Sequence, residues 1–256
     1  MYTSRMILIG LTGAIGHGKS TFAEALLTQV QPSLHLESST LIAAVGNELS
    51  TQSVIYPNPS DLKQINKWME QLPDILKKTV GIQANFSQIF ISEESWQSQP
   101  VEYEKLIIHL RNLRAKPELF REPVQAHNKN LYRPLLQWLG GYLMQHIDTG
   151  IWYDTLIRQA QAAEKKGCRL CVIGGLRFPT DAKRVRDAGG TIVSVKRPHM
   201  GESDILDPTE RERRKIHIDT TVINGGSLSN LSISAQQLVY DITQRTLLKE
   251  YGTLTT

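Results

Sequence analysis

The chain has 256 residues, of which 40% are hydrophobic, and its 29 Lys and Arg against 25 Asp and Glu give a net charge of +4. This length and composition are typical of a folded domain with a sizeable core, and they exclude a disordered chain, a collagen and a coiled coil. The small positive excess suits a phosphate-rich ligand but does not by itself predict a nucleic-acid-binding surface.

The N-terminal apolar run is short, and no run in the chain approaches the ~18 residues of a membrane span. Glycines, His17 and Lys19 interrupt the N-terminal run, and no cleavage pattern for a signal peptidase follows it. We therefore expect a cytoplasmic protein with no membrane partner (the host cytoplasm, if the chain is phage-encoded).

Short apolar runs alternate with helical patterns, which is typical of parallel β-α-β units. Five runs have the length and unbroken apolar character of strands in a sheet that is covered on both faces. They lie at residues 6–12, 34–36, 170–174, 191–195 and 220–223. We therefore predict a three-layer α/β fold with a five-stranded parallel sheet.

The stretch from about 45 to 130 differs from the rest of the chain. It has no clear strand pattern, and two helical patterns at 62–72 and 103–113 lie between polar turns. We interpret it as a helical insertion, between the second and third strands, in a single domain that covers residues 1–256.

One segment between a predicted strand and a predicted helix fits the P-loop pattern G-x-x-x-x-G-K-[ST]. Its glycines let consecutive backbone N–H groups turn inward around a diphosphate, and the positive N-terminal end of the helix assists them. Lys19 is placed to reach the β and γ phosphates, and the Ser20 hydroxyl is placed to ligate Mg²⁺. We predict ATP and Mg²⁺ as cofactors, bound by Gly13, Ala14, Ile15, Gly16, His17, Gly18, Lys19, Ser20 and Thr21.

P-loops also occur in GTPases and motor ATPases, and the sequence favours neither class. The run at 128–131 lacks the Asp of the guanine-binding N-K-x-D pattern. The apolar run LCVIGG ends in glycines where a motor ATPase usually has a carboxylate, and Glu37 is the one acidic residue that ends a predicted strand.

An arginine-rich segment at 197–217 follows the fourth predicted strand. A short helix in it carries Arg211, Arg213, Arg214 and Lys215. Phosphoryl transfer needs cations around the migrating group, and a mobile basic lid supplies them while excluding water. The segment therefore favours a small-molecule kinase, although a solvated basic helix would have the same pattern.

Phage-type deoxynucleoside monophosphate kinases are similar to this chain in segments that follow in the same order: GLTGAIGHGKST, RPLLQWLGG with ID and IW (133–152), VIGGLRFPTDA, VKRP and DTTVINGGSLSNL. The P-loop and the last segment also resemble dephospho-coenzyme A kinase. The resemblance covers roughly the first 45 residues and 130–245, and it leaves the helical insertion unmatched. It implies transfer of the γ-phosphoryl group of ATP to a (deoxy)nucleoside monophosphate with Mg²⁺.

The resemblance also implies roles for individual residues. The catalytic group would be Lys19, Arg177 and Arg211. The acceptor would be held by Arg133, Gln137 and Gln145. The lid would contain Arg197, Arg211 and Arg214, and the turn at Asn224 and Gly225 would lie near the donor base.

Two positions depart from the family pattern. Gly175 stands where many members have Asp before the R-F-P stretch, and Gln145 stands where an Arg commonly ends the acceptor helix motif. We expect weak kinase activity as a result, with Mg²⁺ held mainly by Ser20, and with Glu37 as the nearest replacement acid.

Two other functions remain open from the sequence. A dephospho-coenzyme A kinase-like enzyme would share the P-loop and the last segment. A nucleotide-dependent nucleic-acid-binding or switch protein would account for the basic isoelectric point near 9.0, although the leading interpretation expects small-molecule nucleotides as partners and no nucleic acid.

Overall fold

The structure is a computed structural model, and it describes residues 5–51, 56–98, 100–125, 127–200 and 208–251. The described residues form two compact units. The first contains residues 5–38 and 156–251, and the second contains residues 39–155.

The first unit is built on a five-stranded sheet with the order β2-β3-β1-β4-β5, in which every neighbouring pair is parallel. Its strands are β1 Ile7–Thr12, β2 Ser33–Glu37, β3 Leu170–Gly174, β4 Thr191–Lys196 and β5 Thr220–Ile223. The predicted five-stranded parallel sheet is therefore confirmed, and each strand overlaps the run that predicted it.

Helices make up most of the remaining described chain. Their bounds are α1 Lys19–Leu27, α2 Ser38–Thr51, α3 Leu62–Met69, α4 Leu72–Thr79, α5 Glu93–Ser98, α6 Pro100–Ala115, α7 Lys129–His146, α8 Ile151–Lys165, α9 Pro179–Asp187, α10 Pro208–Arg214 and α11 Leu228–Tyr251. Within the described ranges, none of them combines the length and the apolar character that crossing a membrane requires.

Alternating side chains of the sheet pack against helices on its two faces. On one face, Ile9 and Leu11 join a buried cluster with Phe22 of α1 and Leu231 of α11. On the other face, Gly10 lies so close to Val185 of α9 that a Cβ would stand 3.2 Å from its Cγ1. The two helical layers around the sheet confirm the predicted three-layer architecture.

The second unit is helical, and it is longer than the insertion predicted at 45–130. Its α2 packs on α7, because Gly46 and Gly140 leave room there for Leu136 and Ile42, whose side chains approach within 3.2 Å of where a Cβ would be. The predicted insertion included only parts of α2 and α7, because the apolar face of a helix does not indicate which other helix it packs against.

Pro73 lies at the boundary between two helices of the second unit. The helical pattern at 62–72 ends at Met69, and α4 begins at Leu72 with Pro73 in its first turn. Proline is tolerated there because the first N–H groups of a helix have no partner within it.

Candidate functional site

The predicted P-loop connects β1 to α1 and depends on glycine at two points. Gly13 and Gly18 have φ angles of 145° and 88°, which side-chain-bearing residues seldom adopt. A Cβ would lie 2.5 Å from the Val195 carbonyl oxygen at Gly13 and 2.1 Å from Asn224 Nδ2 at Gly18. Both positions therefore require glycine for conformation and for space.

Side chains from the ends of β4 and β5 hold the loop in place. Asn224 Nδ2 donates to the His17 carbonyl oxygen at 3.0 Å, and the Asn224 N–H donates to the Lys196 carbonyl oxygen at 2.7 Å. On the same side, His17 Nδ1 accepts from the Arg197 N–H at 3.3 Å. Asn224, predicted to lie near the donor base, thus fixes the backbone of the P-loop in this structure.

Lys19 lies folded over the loop. Its Nζ donates to the carbonyl oxygens of Gly13 and Ala14 at 2.7 and 2.8 Å. Burial lowers the pKa of Lys19, the nearby charge of Arg177 lowers it further, and Glu210 opposes the shift. The lowered pKa of Lys19 therefore reflects mainly the burial of its amine, and a bound anion would favour the charged form.

The loop after β3 brings Arg177 to the P-loop. The Thr12 hydroxyl, at the end of β1, donates to the Leu176 carbonyl oxygen at 2.9 Å. Asp181 Oδ2 accepts from the N–H groups of Arg177 and Phe178 at 3.2 and 3.0 Å. The Asp181 carboxyl is almost fully buried, and burial raises its pKa to about 6. Sequence analysis assigned no role to Thr12 or Asp181.

Two cavities lie against the P-loop. The first, of about 170 Å³, is lined by Gly13, Ala14, His17, Lys196, Arg197, Met200 and Arg213. The second, of about 30 Å³, is lined by Gly13, Ile15, Lys19, Gly175, Leu176, Arg177, Glu210 and Arg213. We call them the first and second cavity, and both contain arginine from the lid segment.

Arg213 is the residue of α10 that lines both cavities. Its Nε donates to Glu210 Oε2 at 2.7 Å, and these side chains are only 10% and 4% exposed. The predicted Arg211 and Arg214 are exposed on the same helix and line neither cavity, whereas the predicted Arg197 lines the first. Residues 201–207 of the predicted arginine-rich segment lie outside the described residues.

The other predicted loop residues vary in exposure. Ile15 is 61% exposed and lines the second cavity. Gly16 and Ser20 are exposed, with Ser20 in the first turn of α1, and Thr21 beside it is half-buried. Gly225 follows β5, where a Cβ would stand 2.9 Å from Pro198 Cγ.

The predicted acceptor residues belong to the second unit. Arg133, Gln137 and Gln145 are exposed on α7, at spacings of four and eight residues that bring them to one face of the helix. Arg133 Nη2 donates to Asn130 Oδ1 at 2.9 Å. Arg133 and Gln137 are one turn apart on α7, whereas Gln145 lies two turns beyond Gln137, and the P-loop residues belong to the first unit.

Gly175 supplies no carboxylate to the second cavity, whose described lining contains one acidic residue, Glu210, and Glu37 lies close enough to act on the pKa of Lys19. Glu37 pairs with Gly174 in the sheet, and a Cβ on Gly174 would stand 2.8 Å from Glu37 Oε1. Among the described residues, no three His, Cys, Asp or Glu side chains form a metal-binding group. The Ser20 hydroxyl and the Glu37 carboxylate are hard oxygen donors, which is the chemistry that Mg²⁺ prefers.

No protein-family model matches the chain, and no curated protein matches it either. The chemistry of the site is therefore indicated by its own residues alone. These are a glycine-dependent loop that follows a parallel strand, a lysine on that loop, and arginines from two further elements that line the same small cavity.

Proposed function

We propose that this protein is an ATP-dependent phosphotransferase that transfers the γ-phosphoryl group of ATP to a (deoxy)nucleoside monophosphate. The observation that supports the proposal most is the meeting of Lys19, Arg177 and Arg213 at the second cavity. A migrating phosphoryl group spreads negative charge over its equatorial oxygens, and fixed cations from separate elements stabilise that charge as it develops.

Each cation has a distinct part in the proposal. Lys19 exchanges its two carbonyl partners for the β and γ phosphate oxygens, to which it offers a compact charge. Arg177 and Arg213 offer planar forks that suit two phosphate oxygens at once. The buried pair of Glu210 with Arg213 fixes the second fork, and α10 excludes water from the phosphoryl group.

Magnesium has its place in the proposal through oxygen ligands of this chain. Ser20 would hold the ion directly, and Glu37 would act on its water shell, since Mg²⁺ usually keeps several waters. When bound, the ion would neutralise charge on the β and γ phosphates. We expect weak activity because Gly175 has no carboxylate that could act as a third oxygen group beside Ser20 and Glu37.

The acceptor side of the proposal involves α7. Arg133 is a suitable partner for the acceptor phosphate, and Gln137 and Gln145 offer amides that can donate to and accept from a base. Because Gln145 carries no charge where the family commonly has arginine, we expect acceptor binding to be looser than ATP binding.

The test is a coupled assay for ADP release over a panel of ribo- and deoxyribonucleoside monophosphates, with dephospho-coenzyme A as a further acceptor. Turnover of one or more monophosphates, lost in a folded Lys19→Ala variant, is the expected result. Turnover of dephospho-coenzyme A alone would replace the acceptor in the proposal. No turnover, together with ATP-dependent and salt-sensitive oligonucleotide binding, would overturn it.

A further inference from the structure

The last helix of the first unit, α11, is apolar on two opposite faces. On its inner face, Leu238 and Ile242 belong to the buried cluster of the unit. On its outer face, Ile233, Tyr240 and Leu247 follow at a spacing of seven residues and are 64%, 59% and 41% exposed. A surface helix ordinarily has polar and charged residues opposite its core face. We call these three exposed residues the outer stripe.

The outer stripe carries no charge. Between Ser227 and Tyr240 the sequence has no charged residue, although 21% of the whole chain is charged. Asp241 and Arg245 follow Tyr240 by one and five residues, which turns them away from the stripe by roughly 100° or more. A face of this kind suits neither an acidic nor a basic partner. It is also one side chain wide and lacks the bordering cations of a helix that binds a lipid surface.

Polar side chains beside the outer stripe have hydrogen-bond partners on α11 itself. The Thr243 hydroxyl donates to the Val239 carbonyl oxygen at 2.8 Å, and Gln237 Nε2 donates to Asp241 Oδ1 at 2.8 Å. Covering a polar group is costly mainly when the group is left without a partner. An apolar surface could therefore cover this face while these bonds remain intact.

The outer stripe is complementary to a second copy of itself. Ile233 and Leu247 lie seven residues before and after Tyr240, so a two-fold axis at Tyr240 brings Ile233 against Leu247 of an antiparallel copy. The same axis brings the two Tyr240 rings together and Gln237 close to Gln244 of the other copy. A seven-residue spacing also suits the shallow crossing of two long helices.

The exposed area agrees with what a weak dimer needs. Leu248, beside the stripe, is 63% exposed. With it, the outer face offers roughly 400–500 Å² of apolar surface, if a large side chain presents about 200 Å² when fully exposed. The largest apolar patch of a typical monomer covers roughly 300–600 Å² and often has a function. Two such faces with their bordering glutamines approach the roughly 1,200 Å² at which specific interfaces begin.

We propose that the outer stripe is the contact surface of a two-fold symmetric dimer, in which α11 packs antiparallel on α11 of a second copy of this chain. The contact uses none of the residues of the P-loop, the two cavities or α7. Dimerisation therefore requires no nucleotide, and a dimer without any kinase turnover would contradict the proposed function alone.

Sedimentation of the full chain without nucleotide, from low to high micromolar concentration, measures the dimer directly. We expect a concentration-dependent dimer in the wild type. In Tyr240→Glu the dissociation constant should be at least roughly 30-fold higher, because the variant removes the central aromatic contact and opposes two like charges.

The matched control for this variant is Leu228→Glu, which makes the same change in charge on the same helix. Leu228 is 73% exposed but lies roughly 140° around the helix from Ile233, so this variant should dimerise like the wild type. A wild type that stays monomeric at high micromolar concentration, or a Tyr240→Glu variant that dimerises like Leu228→Glu, would overturn the proposal.

Disulfide formation tests the antiparallel arrangement. Under mild oxidation, Tyr240→Cys should form a cross-linked dimer by itself, whereas Ile233→Cys should cross-link only when it is mixed with Leu247→Cys. The wild type, which contains Cys168 and Cys171 as free thiols, is the control. Cross-linking of Ile233→Cys with itself but not with Leu247→Cys would overturn the antiparallel arrangement. A monomer that binds neutral phosphatidylcholine vesicles, and loses this binding in Tyr240→Glu, would overturn the dimer in favour of a lipid surface.

Discussion

The surroundings of the P-loop and the core of the helical unit both contain buried polar side chains, but they use them differently. In the first unit, Thr12, Asp181 and Asn224 bond to backbone groups of the loops that carry Lys19 and Arg177. In the second unit, both ring nitrogens of His109 are buried without a hydrogen-bond partner among the described residues. The first arrangement fixes the conformation of the two loops, whereas the second lowers stability.

The environment of His109 is aromatic. Its ring meets Phe120 edge-on at a centroid distance of 5.2 Å, and Tyr132 lies at 6.3 Å. Tyr132 itself is satisfied, since its hydroxyl donates to the carbonyl oxygens of Phe120 and Glu122. The comparison therefore predicts that changes near the P-loop alter ligand handling at nearly constant stability, and that changes at His109 alter stability.

The largest effect is expected from Lys19→Ala. Removing a cation aimed at developing charge should lower turnover by roughly 10²–10³-fold or more. The free energy of unfolding should hardly change, because the Lys19 amine contacts only loop carbonyls. Steady-state kinetics and urea denaturation test both parts, with Lys183→Ala, an exposed lysine of α9, as the control. Unchanged turnover in a folded Lys19→Ala protein would contradict the P-loop assignment of function.

The second expected effect concerns the stability of the helical unit in acid. Burial lowers the pKa of His109 from 6.5 to about 4, so the unfolded chain takes up this proton at a higher pH than the folded one. The contribution of His109 to the free energy of unfolding is therefore fully present above pH 6.5. It is lost as the pH drops toward 4, and it does not change further below that pH. The difference between these two pKa values corresponds to about 3 kcal/mol of stability.

The matched variant for this prediction is His109→Phe, which keeps an aromatic ring but cannot be protonated. The difference in unfolding free energy between pH 7 and 4 should be smaller in the variant by about 3 kcal/mol. Urea denaturation of both proteins at each pH gives the difference directly. An identical pH dependence would show that His109 is protonated in the folded protein or does not contribute.

A smaller effect is expected at the ion pair of α10. Glu210→Gln weakens the buried contact that fixes Arg213, and we expect turnover to fall by roughly tenfold, as for one hydrogen bond to a charged group. The control is Glu212→Gln on the same helix, because the Glu212–Lys215 pair is far more exposed. Equal turnover in the two variants would show that Arg213 needs no partner.

Hydrogen exchange tests the lid part of the same proposal. A lid that closes on bound phosphates opens when they are absent, so exchange at 208–215 should be fast without ligand and slower with ATP and Mg²⁺. Glu210→Gln should raise the exchange rate in the ligand-free protein. Slow exchange that ATP and Mg²⁺ do not change would remove the lid from the mechanism.

Much of the first unit could be predicted from sequence because its signals are local. Unbroken apolar runs indicated the strands, and glycine spacing indicated a loop whose positive φ angles the structure contains. No local sequence signal indicates which cation of α10 faces the site. Arg213 faces it because the burial of Glu210 and Ile216 sets the rotation of the helix, and the six consecutive charged residues at 210–215 contain no such information.

The limits in the second unit have another cause. The apolar stripe of Tyr103, Leu106 and Leu110 indicated α6, and those residues are buried. His109 is equally buried, but a polar residue beside an apolar stripe is ordinarily interpreted as its exposed edge. The packing of α2 on α7 also has no signal in the sequence, because it depends on glycines that have no helical pattern of their own.

The smallest effect is expected at Gly175, where many of the kinases that the sequence resembles have Asp. Its φ angle is 75°, so any side chain there is strained by roughly 1–2 kcal/mol, although Asp is tolerated better than most residues. A carboxylate at Gly175 would enter the second cavity beside Lys19 and Arg177 and offer Mg²⁺ an oxygen.

Gly175→Ala introduces the strain without the acid and is the matched control. We expect both variants to lose a similar amount of stability, and Gly175→Asp to turn over faster than Gly175→Ala by less than about tenfold, with a lower Mg²⁺ requirement. Comparable rates and Mg²⁺ requirements for Asp and Ala at this position, with a wild type faster than both, would mean that Ser20 and Glu37 already supply what the missing carboxylate supplies in the family.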